Sequence, residues 1–339
     1  ALAAGWASAY GECHLCPRHC GVDRLSGETG VCGETAVCRI ASACVHRGEE
    51  PPVSGRRGSG TIFFTGCSCR CFFCQNEQIS RQGLGRDVSP DALLTEAGRL
   101  IEQGVHNLNF VTPDHFLPHV TQLCARLRAA GHDLPFVYNT SGYVLADQVD
   151  GIAADVQIFL PDFKFADGAL ARRCMGDGAY PERALEGLRR MVAARGFLEP
   201  WDPSGRTVAR EGVLVRHLVL PGEVENSLAV LRLLREEFGR MLPLSLMSQY
   251  RPMAECQRRR DLDRRLAGEE YRRVVDLAVE LDFRSVFIQP HFGDGGFLPD
   301  FRRDLGVVFG NRVDRAGANF VKEILAGADF GGSPLGVVR

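Results

Sequence analysis

The sequence predicts an α/β fold built on a parallel sheet. Short apolar runs between residues 61 and 290 resemble buried parallel strands, and stretches of helical periodicity lie between most of them. Outside that span the alternation is absent. Strand–helix alternation at this spacing implies right-handed crossovers. Six or seven such units close into a partial or full barrel, or open into a doubly wound sheet. In either arrangement functional loops follow the C-terminal ends of the strands.

The predicted strands are 61–65, 107–111, 136–139, 156–160, 214–220, 244–247 and 286–288. Ser89 and Pro90 supply an N-cap and a first-turn proline for the first helix. Leu93, Leu94, Ala97, Leu100 and Ile101 line one face of it, and Gly104 ends it. Similar faces run through 120–127, 184–192, 228–238 and 271–281.

Three regions are expected: a Cys-rich module over 1–58, the alternating domain over 59–302, and a Gly-rich extension over 303–339. The first has almost no apolar periodicity from residue 11 onward, which predicts folding around a bound metal. In the last, only a short helix near 319–328 is predicted.

The 339 residues are 45% hydrophobic and 24% charged, an ordinary globular composition. A formal net charge of −2 gives no basic field for nucleic acid or an anionic membrane, and neither is an expected partner. The arginines at 258–260, 264 and 265 alternate with Asp261 and Asp263, as on a solvated surface. No apolar run approaches a membrane span, and residues 1–10 lack the positive n-region of a signal peptide.

Thirteen cysteines are too many for buried packing alone, and eight lie in two tight clusters spaced for metals rather than disulfides. Cys38, Cys44, Cys124, Cys174 and Cys256 are scattered and are expected as small buried hydrophobes. A reducing cytoplasm is the expected compartment.

The loop leaving the first strand reads Gly66-Cys67-Ser68-Cys69-Arg70-Cys71-Phe72-Phe73-Cys74. Cys67, Cys71 and Cys74 give C-x3-C-x2-C, three thiolates for three irons of a [4Fe-4S] cubane. A fourth iron left open can chelate the amino and carboxylate groups of S-adenosylmethionine (SAM) and pass an electron to its sulfonium. The 5′-deoxyadenosyl radical that results abstracts hydrogen from carbon. Competing readings are a zinc site closed by Cys69, a fully ligated electron-transfer cluster, and an inert loop.

These residues and the motifs after them resemble the radical SAM superfamily, specifically the pyruvate formate-lyase activating enzyme-like, PflX-like group, from about Cys13 to Arg302. The resemblance implies a partial (β/α)6-type radical SAM barrel. It places Phe73 near the adenine. Thr112-Pro113-Asp114 stands where activating enzymes carry the Gly-Gly-Glu turn that holds the methionine amino group. Asn139-Thr140-Ser141-Gly142 matches their turn after strand three, Asp162-Phe163-Lys164 their Asp-Leu-Lys, and 216–222 their Arg-Tyr-Val-Val-Val-Pro-Gly. Asn139 and Ser141 are candidates for the ribose hydroxyls, and Lys164 and Arg216 for the SAM carboxylate. Cys69 stands where relatives usually carry an apolar residue. The resemblance further implies an electron donor such as flavodoxin or ferredoxin, and a glycyl-radical protein or peptide as substrate.

Cys13, Cys16, Cys20 and Cys32 form a second group, C-x2-C-x3-C-x11-C, suited to zinc or to a fully ligated second [4Fe-4S] cluster. The PflX-like resemblance includes this segment and His46-x2-Glu49-Glu50-Pro51, the latter expected only as a packed linker. A SAM-cleaving enzyme, an iron–sulfur electron carrier or sensor, and a zinc-stapled binding module are the three functions weighed. The candidate SAM ligands favour the enzyme.

Overall fold

The computed structural model describes residues 4–289 and 299–302. Among the described residues ten strands are present: β1 (Arg39–His46), β2 (Ser59–Phe64), β3 (Arg86–Asp87), β4 (Leu108–Val111), β5 (Phe136–Thr140), β6 (Ile158–Pro161), β7 (Gly212–Val213), β8 (Val215–Leu218), β9 (Leu244–Met247) and β10 (Val286–Ile288). They pair as a seven-stranded sheet, β3-β1-β2-β4-β5-β6-β7, and a three-stranded sheet, β10-β9-β8. From β2 to β7, and from β8 to β10, every neighbour is parallel. The two sheets are nearly one. Leu214 separates β7 from β8, and an Asp162–Arg216 bridge with Phe163 N–H donating to Arg216 O at 2.8 Å carries β6 onto β8. Among the described residues no ladder joins β10 back to β2, so the staves form an open barrel.

All seven predicted strands occur where expected, each a short apolar run, and β2, β4 and β6 are buried on both faces throughout. The predicted helices occur as Pro90–Glu102, Leu117–Ala129, Tyr180–Arg195, Val224–Phe238 and Gly268–Glu280. Ser89 caps the first, its hydroxyl accepting from Ala92 N–H at 3.1 Å. Their buried stripes, including Leu93, Ala97, Leu123, Leu188, Leu231 and Val274, pack against the outside of the sheet. The five scattered cysteines are all buried, and all thirteen are free.

The Cys-rich segment, despite its lack of apolar periodicity, contributes a strand to the sheet. Its residues Arg39–His46 form β1, antiparallel to β2, with His46 opposite Ser59 and Ile40 opposite Phe64. Small side chains make this strand: Ala43 is fully buried and Ser42 nearly so. The chain beyond β1 then crosses beneath the N-terminal ends of the parallel strands. There Pro51–Ser54 is a helical turn, and Val53 packs with Val137, Ile158, Leu198, Ala209 and Leu214. Ala209 N–H donates to Pro52 O at 2.7 Å, so the segment around 197–211 closes that end. The predicted helix at 319–328 and the extension 303–339 lie outside the described residues.

Candidate active site

At the C-terminal end of β2 the backbone turns through Gly66 at φ +74°. A Cβ here would meet Glu34 Cγ at 2.5 Å and Cys32 O at 2.8 Å, so only glycine fits. The loop beyond it turns Cys67, Cys69, Cys71 and Cys74 onto one cavity of about 410 Å³ inside the barrel. That volume lies within the roughly 300–1,000 Å³ usual for small-molecule sites. Cys74 N–H donates to Cys71 O at 3.2 Å, and the Ser80 hydroxyl donates to Cys74 Sγ at 3.3 Å. Contact with the Cys69 thiol, and burial after it, push the Cys67 thiol up; burial pushes Cys69 and Cys74 up too. Among the described residues no three His, Cys, Asp or Glu side chains close on a single ion, at this loop or at the N-terminal cysteines. Three thiols spread over one mouth suit a cubane, which takes one thiolate per iron.

Across the cavity stand the ends of β4, β5 and β6. Thr112, Asn139, Thr140, Ser141, Asp162 and Lys164 line it, as does Phe73. Thr112 has φ +54°, a strained conformation for a β-branched residue, held by its N–H donating to Asn139 O at 2.8 Å. Pro113 and Asp114 are not among the lining residues. Asp114 points into the protein, where one carboxylate oxygen accepts from Tyr138 OH at 3.0 Å and Thr140 Oγ1 at 2.6 Å. Among the described residues its other oxygen has no partner, and burial raises the carboxyl to about 6. Asp114 therefore ties the β4 loop to β5 from behind the cavity.

Lys164 is ion-paired with Asp162. Burial opposes its charge, but Asp162, with Tyr180 after it, overcomes that and lifts the ammonium well above the ordinary lysine range. The fully buried Tyr180 hydroxyl accepts from Lys164 N–H at 3.0 Å and lies 2.8 Å from Ser141 O and 3.0 Å from Asp162 O as donor. Two loops expected to bear SAM ligands are thus clamped by one phenol, a residue no sequence motif pointed to.

Arg216 and Leu218 of β8, and Ser245 and Met247 of β9, stand two apart and share the inner face. Arg216, expected to face a SAM carboxylate, is instead held by carboxylates of this chain. Its Nε donates to Glu50 Oε1 at 3.0 Å, and its Nη2 donates to Glu50 Oε2 and Glu49 Oε2. Glu49 also accepts from Asn109 Nδ2 at 2.7 Å. His46, Glu49 and Glu50 line the cavity, so the segment expected as a linker is its floor. The recurrence of His46-x2-Glu49-Glu50-Pro51 in look-alikes was the only signal for it.

The second cysteine group is also brought together. Cys16 feels the charges of Cys32, Cys20 and Cys13, and burial, the largest effect, pushes its thiol up to about 12. Beside them lies Arg24, 1% exposed, between the Tyr10 and Phe116 rings. Its guanidinium donates to the carbonyls of Glu34, His115 and Thr35 and lies 3.7 Å from Cys13 Sγ. Among the described residues it has no carboxylate partner.

Residues 61–234 match the model of the Radical SAM superfamily. The chain is 24% identical over 285 residues to uncharacterized protein MJ0674 of Methanocaldococcus jannaschii, a match covering 82% of this chain and 77% of that protein. Among solved structures it is similar to methylornithine synthase (PylB), with TM-score 0.44 and 13% identity over 66% of this chain and 60% of that one. It is also similar to HydG, a maturase of the [FeFe]-hydrogenase, with TM-score 0.47 and 12% identity over 70% of this chain and 51% of that one. The chain thus spans less than two thirds of either solved structure.

Proposed function

Because the chain belongs to the radical SAM superfamily, we propose that it is an enzyme that reductively cleaves SAM at a [4Fe-4S] cluster on Cys67, Cys71 and Cys74. One observation carries this reading: the three thiols open onto the same cavity as the loops ending β4, β5 and β6. Cys67, Cys71 and Cys74 would hold the cluster, which would supply the one electron for cleavage of SAM to methionine and a hydrogen-abstracting 5′-deoxyadenosyl radical. The protein's part is placement. Lys164 offers an ammonium for the SAM carboxylate, Asn139 and Ser141 offer polar groups for the ribose, and Phe73 offers an apolar ring for the adenine. Burial of the loop excludes water from the radical step.

The finer reading is a radical SAM oxidoreductase of the activating-enzyme type, reduced by a flavodoxin- or ferredoxin-like donor and acting on a glycyl-radical protein or peptide. The motifs at 139–142, 162–164 and 216–222 support it. The cavity volume of about 410 Å³ and its charged floor favour a second substrate class, a small molecule or a single extended side chain. Cys13, Cys16, Cys20 and Cys32 are assigned a metal of their own, zinc or a second cluster. Four thiolates around a divalent ion carry net negative charge, and Arg24 supplies an otherwise unmatched buried cation beside them.

Anaerobically reconstituted, reduced protein is expected to convert SAM to methionine and 5′-deoxyadenosine. Iron-loaded protein that releases neither product sinks the proposal. Among the described residues no helix is long and apolar enough to cross a membrane.

A further inference from the structure

We propose that the floor of the lumen binds the cationic end of the substrate, an ammonium or guanidinium group, with Glu49 as its principal anchor. This deepens the function proposed above and rests on it for the chemistry at the other end of the cavity; the binding itself rests on the floor alone.

Among the described residues, charge at the floor does not balance. Glu49 and Glu50 face a single guanidinium, Arg216, and the three side chains are only 8%, 9% and 10% exposed. His46 does not make up the difference, because burial lowers its pKa and leaves it neutral. Lys164, the other cation on the cavity wall, is paired with Asp162. One negative charge therefore stands uncompensated in a largely desolvated wall, which is costly without a counter-charge.

The hydrogen bonding leaves the same kind of demand. Arg216 grips Glu50 through two nitrogens, and Ser245 also bonds to it. Glu49 receives one donor at each oxygen, from Arg216 and Asn109, and a carboxylate has room for about four. Asn109, which holds Glu49 through Nδ2, is fully buried and not part of the cavity lining, and among the described residues its Oδ1 has no donor. The deficit open to the cavity is therefore at Glu49, and it is for donors and positive charge. An ammonium or guanidinium meets it, whereas a carboxylate or phosphate adds to it and a hydroxyl supplies no charge. Leu218, Met247 and Phe287 line the lumen and suit a hydrocarbon spacer reaching toward the Cys67 loop.

The test is calorimetric titration of the reconstituted, SAM-bound and unreduced holoenzyme with n-butylammonium chloride, 1-butanol and sodium butyrate. A charge-assisted contact is worth about 1.5–3 kcal/mol, so the ammonium should bind about tenfold or more tightly than the alcohol, and butyrate more weakly still. Glu49→Gln should erase that preference. Equal binding of amine and alcohol, preference for butyrate, no saturation by the amine at about 10 mM, or an unchanged preference in Glu49→Gln overturns the assignment. The wild-type comparison decides even where the variant does not fold. SAM cleavage is read separately on wild-type enzyme. An amine preference without SAM cleavage leaves the floor standing and removes the radical chemistry; SAM cleavage without the preference does the reverse.

Discussion

The backbone N–H of Cys67 donates to the carbonyl of Cys32 across 3.4 Å, joining the last cysteine of the N-terminal group to the first of the barrel loop. Two groups of thiols separated in sequence thus share one backbone contact, tightened by the glycine between β2 and Cys67. A metal bound at either group would adjoin, through this contact, the loop that carries the other.

Metal content should therefore separate the two groups. Combined Cys67→Ala, Cys71→Ala and Cys74→Ala should abolish the barrel cluster and leave the N-terminal metal: about four irons for a cubane, or about one zinc. Metal analysis and visible absorbance read the difference. Protein holding neither metal while residues 13–32 stay protected from alkylation refutes the second site.

Single substitutions test the ligand assignment in the barrel. Cys67→Ala, Cys71→Ala or Cys74→Ala should each remove the cluster and SAM cleavage. Cys69→Ala should keep both, although Cys69 is 1% exposed and in contact with Cys67 and Cys71. Loss of cluster absorbance in Cys69→Ala with retention in Cys71→Ala reverses the assignment.

Lys164 and Arg216, both candidates for the SAM carboxylate by sequence, make different predictions once their partners are known. Lys164→Ala should weaken SAM binding about tenfold or more at unchanged iron content. Arg216→Ala strands two buried carboxylates, so it should cost about 3–5 kcal/mol of stability. Denaturant titration and SAM titration of both variants distinguish these effects. Equal stability of Arg216→Ala and wild type contradicts the floor as described.

Tyr180→Phe should weaken SAM binding without touching iron. It removes the partner of Lys164 N–H and of the Ser141 carbonyl, leaving buried backbone groups unmatched at about 1–3 kcal/mol each. SAM affinity and iron content, measured together, check this; unchanged affinity ends the clamp's role.

Asp114 makes the pH prediction. Its folded-state pKa of about 6 exceeds the unfolded value near ~4, so between those pH values the folded protein binds the extra proton. Its contribution favours folding most at low pH and falls, by up to about 3 kcal/mol, as pH rises from about 4 to about 6. Asp114→Asn keeps an acceptor for Tyr138 and Thr140 but cannot ionise, so it should gain on wild type across that window. Parallel stability–pH curves count against it.

What was legible in the sequence was what repeats or clusters. Seven strands announced themselves as apolar runs, and Cys67, Cys71 and Cys74 by spacing within one loop. β1 was hidden because Ala43, Ser42 and Cys44 bury without a bulky apolar run, and its pairing depends on β2. Glu49 and Glu50 read only as a packed linker, because Arg216, the partner that makes them a cavity floor, lies far along the chain. Tyr180 carries no motif because its three partners are backbone groups.

The open edge of the barrel has an evolutionary corollary. Between β10 and β2 the described residues provide no strand pairing. The wall includes Phe301 against the Phe63 ring at 5.2 Å, and Phe301 N–H donating to Gln78 Oε1 at 2.8 Å. Pro299, beside them, lines the cavity. Replacements at 299–301 can widen or narrow the lumen without breaking a ladder hydrogen bond. Substrate range is thereby separable from fold stability at this edge, where a lineage can change diet without rebuilding its scaffold.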